Sequence, residues 1–331
     1  MNILVNLRAG FFEYPALAPV FELLAALGTV RQTSHDTADE FRPDLAGADA
    51  VLMWSWPAWT DELLDAAPNL RYAGHLDLGQ AGAQVALRRG LPVSISRHGW
   101  SPAVAEMALG LMLNLLRRQS DYHALMRVAG EPWVRSFPTG VDPQERELTG
   151  RSVGLVGLGH VGRRLAELLA PFHPTLRVVD PFVPDAVIQA HGATRVSLEE
   201  MLHESDVVVL CAASNSGTQH LLGRSEIALL RPHAVFINVA RAALVDTAVL
   251  VERLQQGDLL AAIDVFDREP LDGDAALRAL PNAYLTPHRA GGTLASALRT
   301  LHWLVDDLEA IMQGRERQYP LTETMLPSLD A

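Results

Sequence analysis

Three observations predict an α/β fold of two Rossmann-like, doubly wound parallel-sheet domains with an interdomain cleft. Short apolar runs alternate with helical patterns along most of the 331-residue chain, which is the rhythm of βαβ units. At residues 153–162 one such run enters a turn with glycines at 157, 159 and 162 and opens directly into a helical stripe. The alternation also occurs twice, over residues 1 to 98 and again from Arg151, with a long helical pattern and a Pro-, Gly- and charge-rich segment in between.

In chain order, the first half reads as strands Ile3–Leu7, Ala50–Trp54, Leu70–Ala73 and Leu91–Ile95, with a helical pattern over Leu17–Leu27. A long helix is expected over Pro102–Arg118; Glu106 and Asn114 interrupt its apolar surface, so it belongs inside protein rather than in lipid. Ser120–Gly150 reads as an arm or linker. Six further strands are expected at Val153–Val156, Leu176–Val179, Val207–Leu210, Ala234–Asn238, Leu259–Ile263 and Ala283–Leu285, enough for a complete dinucleotide-binding sheet. The last helix, Leu294–Gln313, lies beyond that sheet and should pack on the first domain. The expected division is therefore 1–98 with 290–331, a discontinuous flavodoxin-like unit that binds substrate, and 99–289, a cofactor-binding unit.

The glycine turn has a chemical reading of its own. Gly157 permits a sharp turn, Gly159 lets backbone approach a pyrophosphate, and Gly162 lets helix and strand pack closely. The N–H groups of His160 and Val161 sit at the start of the helix, where free donors and the positive dipole end face phosphates; the His160 side chain is given no role. About twenty residues on, Asp180 ends the next strand. A carboxylate there accepts from both ribose hydroxyls and repels a 2′-phosphate, favouring NAD over NADP.

Composition sets the limits. With 49% hydrophobic and 20% charged residues the chain has ample material for a core. A net charge of −12 argues against a nucleic-acid backbone or an anionic membrane as partner, and an anionic substrate would need local positive charge. The single cysteine, Cys211, allows no intrachain disulfide and no multi-cysteine metal site; it reads as a small buried hydrophobe near the cofactor, and the chain as cytoplasmic. No histidine pair has metal-ligand spacing, so no metal is expected. Residues 1–7 read as a first strand rather than a signal peptide.

Arg241, Glu269 and His288 each follow a late strand of the second domain, at the sheet end where open α/β sheets bind ligands. Their surroundings, Ile237-Asn238-Val239-Ala240-Arg241-Ala242-Ala243-Leu244-Val245-Asp246, Ala262-Ile263-Asp264-Val265-Phe266-Asp267-Arg268-Glu269-Pro270-Leu271 and Leu285-Thr286-Pro287-His288, resemble the three signature blocks of the D-isomer-specific 2-hydroxyacid dehydrogenases. The resemblance covers about residues 45 to 315 and is clearest from Ala103 to Thr293. It implies that His288 is the general acid in keto-acid reduction and the general base in reverse. Glu269 would favour the imidazolium and fix its tautomer, and Arg241 would fork onto the substrate carboxylate and keto oxygen. Asp264 would hold the nicotinamide carboxamide, with Ala212, Val239 and Ala240 also lining the cofactor. Glu106 matches a helix position near the domain junction and reads as structural. The implied protein is an NAD-dependent oxidoreductase of small 2-hydroxy or 2-keto acids, a homodimer through its cofactor domain.

Three departures from the family pattern bear on the substrate. Where the family carries a glycine-rich turn whose amides hold the substrate carboxylate, this chain has Gly74-His75-Leu76-Asp77-Leu78-Gly79, which makes His75 and Leu76 substrate contacts by position and puts a carboxylate, Asp77, close to them. Where phosphoglycerate-type members have an arginine, it reads Trp54-Ser55-Trp56-Pro57-Ala58-Trp59, which argues for a non-phosphorylated substrate; the tryptophans form either an aromatic wall or core and interface. Ala242 replaces a family glycine and would be strained if the backbone there needs a positive φ. A formate-dehydrogenase-like activity is disfavoured because that group carries Gln in place of Glu269. An NAD(H)-sensing binding protein, like the family's corepressors, stays open as the alternative.

Overall fold

The computed structural model describes residues 1–128, 141, 142 and 144–329. In chain order the elements are β1 (Asn2–Asn6), α1 (Ala9–Glu13), α2 (Ala18–Leu27), β2 (Thr29–Thr33), α3 (Ala38–Leu45), β3 (Ala50–Met53), α4 (Asp61–Asp65), β4 (Tyr72–His75), α5 (Gln80–Arg88), β5 (Val93–Ile95), α6 (Ser101–Leu116) and α7 (Gln119–Val128). There follow β6 (Ser152–Val156), α8 (His160–Leu169), β7 (Thr175–Val179), α9 (Asp185–Ala190), β8 (Ala193–Arg195), α10 (Leu198–Glu204), β9 (Val207–Leu210), α11 (Arg224–Ala228), β10 (Val235–Asn238), α12 (Thr247–Gln255), β11 (Leu260–Ile263), β12 (Ala283–Leu285) and α13 (Leu294–Met312). Among the described residues no helix is long and apolar enough to cross a membrane.

One unit comprises Met1–Trp100 with Gly292–Ala331, and the other Ser101–Gly291. The first is built on a five-stranded parallel sheet in the order β2-β1-β3-β4-β5. Its central strands β1, β3 and β4 are buried along nearly their whole length, which is why they read as unbroken apolar runs. α13 covers one face: Leu301, Leu304, Val305 and Leu308 share a core with Ile3, Val5, Ala50 and Tyr72. The helix can come so close because residue 99 is glycine; a Cβ there would lie 2.6 Å from the Thr300 methyl.

The second unit carries a seven-stranded parallel sheet, β12-β11-β10-β9-β6-β7-β8. The order reverses between β6 and β9, the switch point of a dinucleotide-binding sheet. α6 and α8 pack together on one face through Ala105, Ala108, Leu111, Met112, Leu165, Ala166 and Leu169. Glu106 of α6 is exposed.

The predicted α/β class with two parallel sheets is the observed one, with omissions that have physical causes. β2 was not expected, because an edge strand of sequence Thr-Val-Arg-Gln-Thr faces solvent and shows no apolar run. β8 is a three-residue edge strand, below the length at which period-2 patterning can be read. Part of the segment expected as an arm or linker is the helix α7, none of whose residues is buried; residues 129–140 and 143 of that segment lie outside the described residues.

Candidate active site and cofactor cradle

β6 runs through Val153 and Leu155, buried on both sides, into Gly157, whose φ of +95° is open to glycine and strained for other residues. A Cβ on Gly157 would also lie 2.8 Å from the backbone of Ala212, just past β9, and one on Gly162 would lie 2.4 Å from the Gly157 carbonyl. These two glycines draw strand, turn and helix together. Gly159 is different: a Cβ there would meet nothing within 4 Å. That open side, next to the start of the ten-residue helix α8, leaves room in which a pyrophosphate could be held, with His160 exposed and Val161 half-buried on the first turn.

Asp180 stands immediately after β7, and its carboxylate is already structured. Oδ2 accepts from the Leu158 amide at 2.8 Å, while Oδ1 accepts from the amides of Phe182 and Val183 at 2.9 and 3.0 Å. The residue ties the glycine turn to the end of the second strand and keeps lone pairs for ribose hydroxyls. With the backbone cradle, it fits an NAD without a 2′-phosphate. Asp180→Ala is expected to lower the preference for NADH over NADPH by about tenfold or more, read as the ratio of kcat/KM for the two cofactors; an unaltered ratio would remove Asp180 from ribose recognition.

Cys211 follows β9, and burial pushes its thiol up to about 12. It is no nucleophile at neutral pH.

The three titratable residues sit past the carboxyl ends of β10, β11 and β12. Asn238, the last residue of β10, braces the Arg241 turn: its Nδ2 donates to the Arg241 carbonyl at 3.0 Å, and its Oδ1 accepts from the Ala240 amide at 3.1 Å. The Arg241 guanidinium donates through Nη1 to the Ala240 carbonyl at 2.9 Å. Ala242 opens a 3-10 turn and is not among the residues with positive φ, so the strain considered for it does not arise. Val239 is buried behind this turn and Ala240 is half-buried in it.

His288 and Glu269 meet directly, Nδ1 to Oε2 at 2.7 Å, and the second carboxylate oxygen of Glu269 accepts from the Phe266 amide at 3.0 Å. Partial burial pushes the Glu269 carboxyl upward; the His288 hydrogen bond, the Phe266 amide and the charges of His288 and Arg241 outweigh it and hold the group below the ordinary glutamate value. Glu269 therefore stays ionised at neutral pH. With Nδ1 engaged by that carboxylate, Nε2 is left as the nitrogen that can exchange a proton with a ligand.

Asp264 plays a part that the sequence does not disclose. It is fully buried; Oδ1 accepts from the Thr286 hydroxyl at 2.6 Å and the Arg289 amide at 2.9 Å, and Oδ2 accepts from the Ala290 amide at 2.9 Å. Its carbonyl accepts from the His288 amide at 2.8 Å. Asp264 clamps the loop carrying His288. The clamp holds His288 at φ +50°, a conformation that costs a non-glycine residue roughly 1–3 kcal/mol and persists only where neighbours impose it. Thr286 and Asn238 are the other supporting residues that patterning missed; a polar residue closing an apolar strand was the available signal for Asn238.

In the first unit, the substrate contacts expected of His75 and Leu76 are corrected. Both residues are completely buried, and the Leu76 amide donates to the Met53 carbonyl at 2.9 Å. The Trp59 indole donates to His75 Nε2 at 2.8 Å, which leaves the proton on Nδ1, 2.7 Å from the Trp54 carbonyl. His75 is thus a neutral brace between the two ends of the loop 54–59, and burial lowers its pKa to about 4. Since the folded value lies below the ordinary 6.5, its contribution to stability is complete above about pH 6.5 and is lost as pH falls toward about 4, about 3 kcal/mol in all. His75→Gln is expected to flatten that part of the Tm-versus-pH curve; wild-type and variant curves running parallel would contradict it. Asp77 is paired with Arg97 at 3.8 Å, which offsets its charge.

The chain is similar to known dehydrogenases and reductases. The family model described as "D-isomer specific 2-hydroxyacid dehydrogenase, NAD binding domain" matches residues 109–290. A glyoxylate reductase of Aeropyrum pernix is 33% identical over 77% of this chain and 77% of its own length. A D-3-phosphoglycerate dehydrogenase of Methanocaldococcus jannaschii is 27% identical over 91% of this chain, which spans 56% of that longer protein. The crystal structure of an NADPH-dependent glyoxylate/hydroxypyruvate reductase from Sinorhizobium meliloti in complex with citrate matches with a TM-score of 0.78 at 27% identity, covering 100% of this chain and 99% of that one.

Proposed function

The chain belongs to the D-isomer specific 2-hydroxyacid dehydrogenase family, and within it we propose a reductase of non-phosphorylated 2-keto acids in which Arg241, Glu269 and His288 carry the substrate chemistry. It is an NAD-dependent enzyme, and the cofactor supplies or accepts the hydride at substrate C2. Arg241 binds the carboxylate and polarises the keto oxygen, a planar two-point task suited to a guanidinium. His288 delivers the proton to that oxygen from Nε2, and in the reverse direction removes it from the hydroxyl. Glu269 orients the ring and offsets the charge that His288 gains and loses. Asp264 keeps the His288 loop in place.

The observation that carries this reading is the 2.7 Å His288–Glu269 hydrogen bond, with Arg241 close enough to add its charge to the same carboxylate, at the strand ends of the sheet that holds the glycine turn. The absence of a cation from the loop 54–59 supports a substrate without phosphate. α7, with no buried residue and with Leu125, Met126 and Val128 exposed, supports a homodimer formed through the cofactor domain. The reading is tested by following NADH oxidation with a panel of small 2-keto acids. Turnover of at least one supports it; firm NADH binding without turnover of any would favour the sensor alternative.

A further inference from the structure

At the amino ends of its strands, opposite the glycine turn, the sheet of the second unit gathers arginines. β10, β9 and β6 are neighbours there, and Asp206, one residue before β9, ties them together: its carboxylate accepts from the Ser152 amide at 3.1 Å and its carbonyl from the Val235 amide at 2.9 Å. Three guanidinium groups reach this corner from separate segments. Arg146 donates through Nη2 to the His233 carbonyl, just ahead of β10, at 2.5 Å. Arg151, just ahead of β6, donates through Nε to the Glu147 carbonyl at 3.0 Å, and Arg231 reaches the Asp206 carboxylate and the Glu204 carbonyl through Nη1, each at 3.5 Å. Each guanidinium spends one nitrogen on these bonds, and the Arg146 Nε is buried with no hydrogen-bond partner among the described residues. The charges are also out of balance. Arg177, beside the cluster, is matched by the Ser152 hydroxyl and by Glu204 at 4.0 Å, whereas Arg146, Arg151 and Arg231 face the carboxylate of Asp206 together. Burial pushes the pKa of Arg146 down, and the charges of Arg151 and Arg231 push the same way against the opposing pull of Asp206. In a chain of net charge −12, such a surplus of positive charge is a local exception.

We propose that Arg146, Arg151 and Arg231 form an anion site separate from the cofactor and substrate residues, and that it takes a phosphate dianion, either the free ion or the terminal group of a small phosphomonoester. The inference does not depend on the keto-acid reading. Guanidinium groups arriving from different segments lie in different planes, and a tetrahedral anion offers oxygens in as many directions. Its two negative charges answer the surplus that Asp206 leaves. A carboxylate is flat and carries a single charge, so it meets fewer of the donors and offsets less. The cluster is compact, and the strongly negative chain around it does not suit a long polyanion, which leaves a small ligand as the occupant. Arg146 and Arg151 are half-buried, so their attraction for an anion is screened less than that of fully exposed side chains, while Arg231, with 47% of its side chain exposed, keeps the corner open to solvent.

The test is isothermal titration of the full chain, saturated with NADH, with inorganic phosphate and separately with glycerol 3-phosphate, against sodium chloride at matched ionic strength. Saturable binding is expected beyond any heat given by chloride, and the tighter of the two ligands names the source of the phosphate. Arg231→Gln and Arg151→Gln should each weaken that binding by about tenfold or more. Both side chains touch their neighbours through a single nitrogen, so both variants are expected to melt close to wild type. The glycine turn and Arg241 lie at the other end of the same strands, so phosphate held there would bind the two variants as tightly as it binds wild type. That result overturns the assignment, as does the absence of saturable binding of either ligand.

Discussion

His288→Ala is expected to lower kcat for 2-keto acid reduction by about 10²–10⁴-fold, the usual contribution of a positioned general acid, with NADH affinity near that of the wild type. The separation follows from where the residue sits. His288 stands past β12 and bonds to Glu269, whereas the glycine turn and Asp180 are set by β6, α8 and β7. The Asp264 clamp acts on the backbone amides of residues 288 to 290 and on Thr286, so removing the imidazole leaves the loop's own ties intact. Steady-state kinetics with NADH titrated separately checks the point. An unchanged kcat would take His288 out of the mechanism.

Arg241→Lys should prove nearly as damaging, although it preserves charge. Losing the planar fork is expected to reduce kcat/KM for the keto acid by about 10²-fold, at the lower end of what truncating a charge-paired contact costs. The turn itself should survive, because Asn238 holds it through the backbone of residues 240 and 241. A defect in folding would therefore not explain the loss, and thermal melts resembling wild type would confirm as much. Kinetics indistinguishable from wild type would mean that Arg241 does not engage the substrate in two-point fashion.

Legibility in the sequence followed the range of the interactions. Strands buried on both faces, such as β3, β9 and β10, announce themselves as apolar runs, and the glycine turn does so because each glycine answers a local steric need. Polar edges do not, which hid β2 and β8. The place of His75 was misread for a related reason, and the clamp made by Asp264 was not legible. Each was read as a ligand contact from the position it matches in the family pattern, and each is fully buried against partners distant in sequence: Trp59 for His75, and Thr286, Arg289 and Ala290 for Asp264. A histidine whose two ring nitrogens are satisfied internally has the same letter as one facing a substrate. Only burial and hydrogen bonding tell them apart.

The tryptophans show the same limit in another form. Three in one short loop could be wall or core, and the structure divides them, with Trp59 in the core and Trp54 and Trp56 half-buried at the strand ends. Arg8 and Phe11 meet these rings from the exit of β1 and from α1, more than forty positions earlier, a juxtaposition that follows from β1 and β3 being neighbours in the sheet.

The most direct measurement is the fate of the label when the enzyme is given NADH deuterated at the transferring C4 position together with a 2-keto acid it turns over. The account predicts deuterium at C2 of a single product enantiomer, the D-2-hydroxy acid, and about 10²-fold or greater slowing of that transfer in His288→Ala. Product without deuterium at C2, or label transferred at the wild-type rate in the variant, would contradict it.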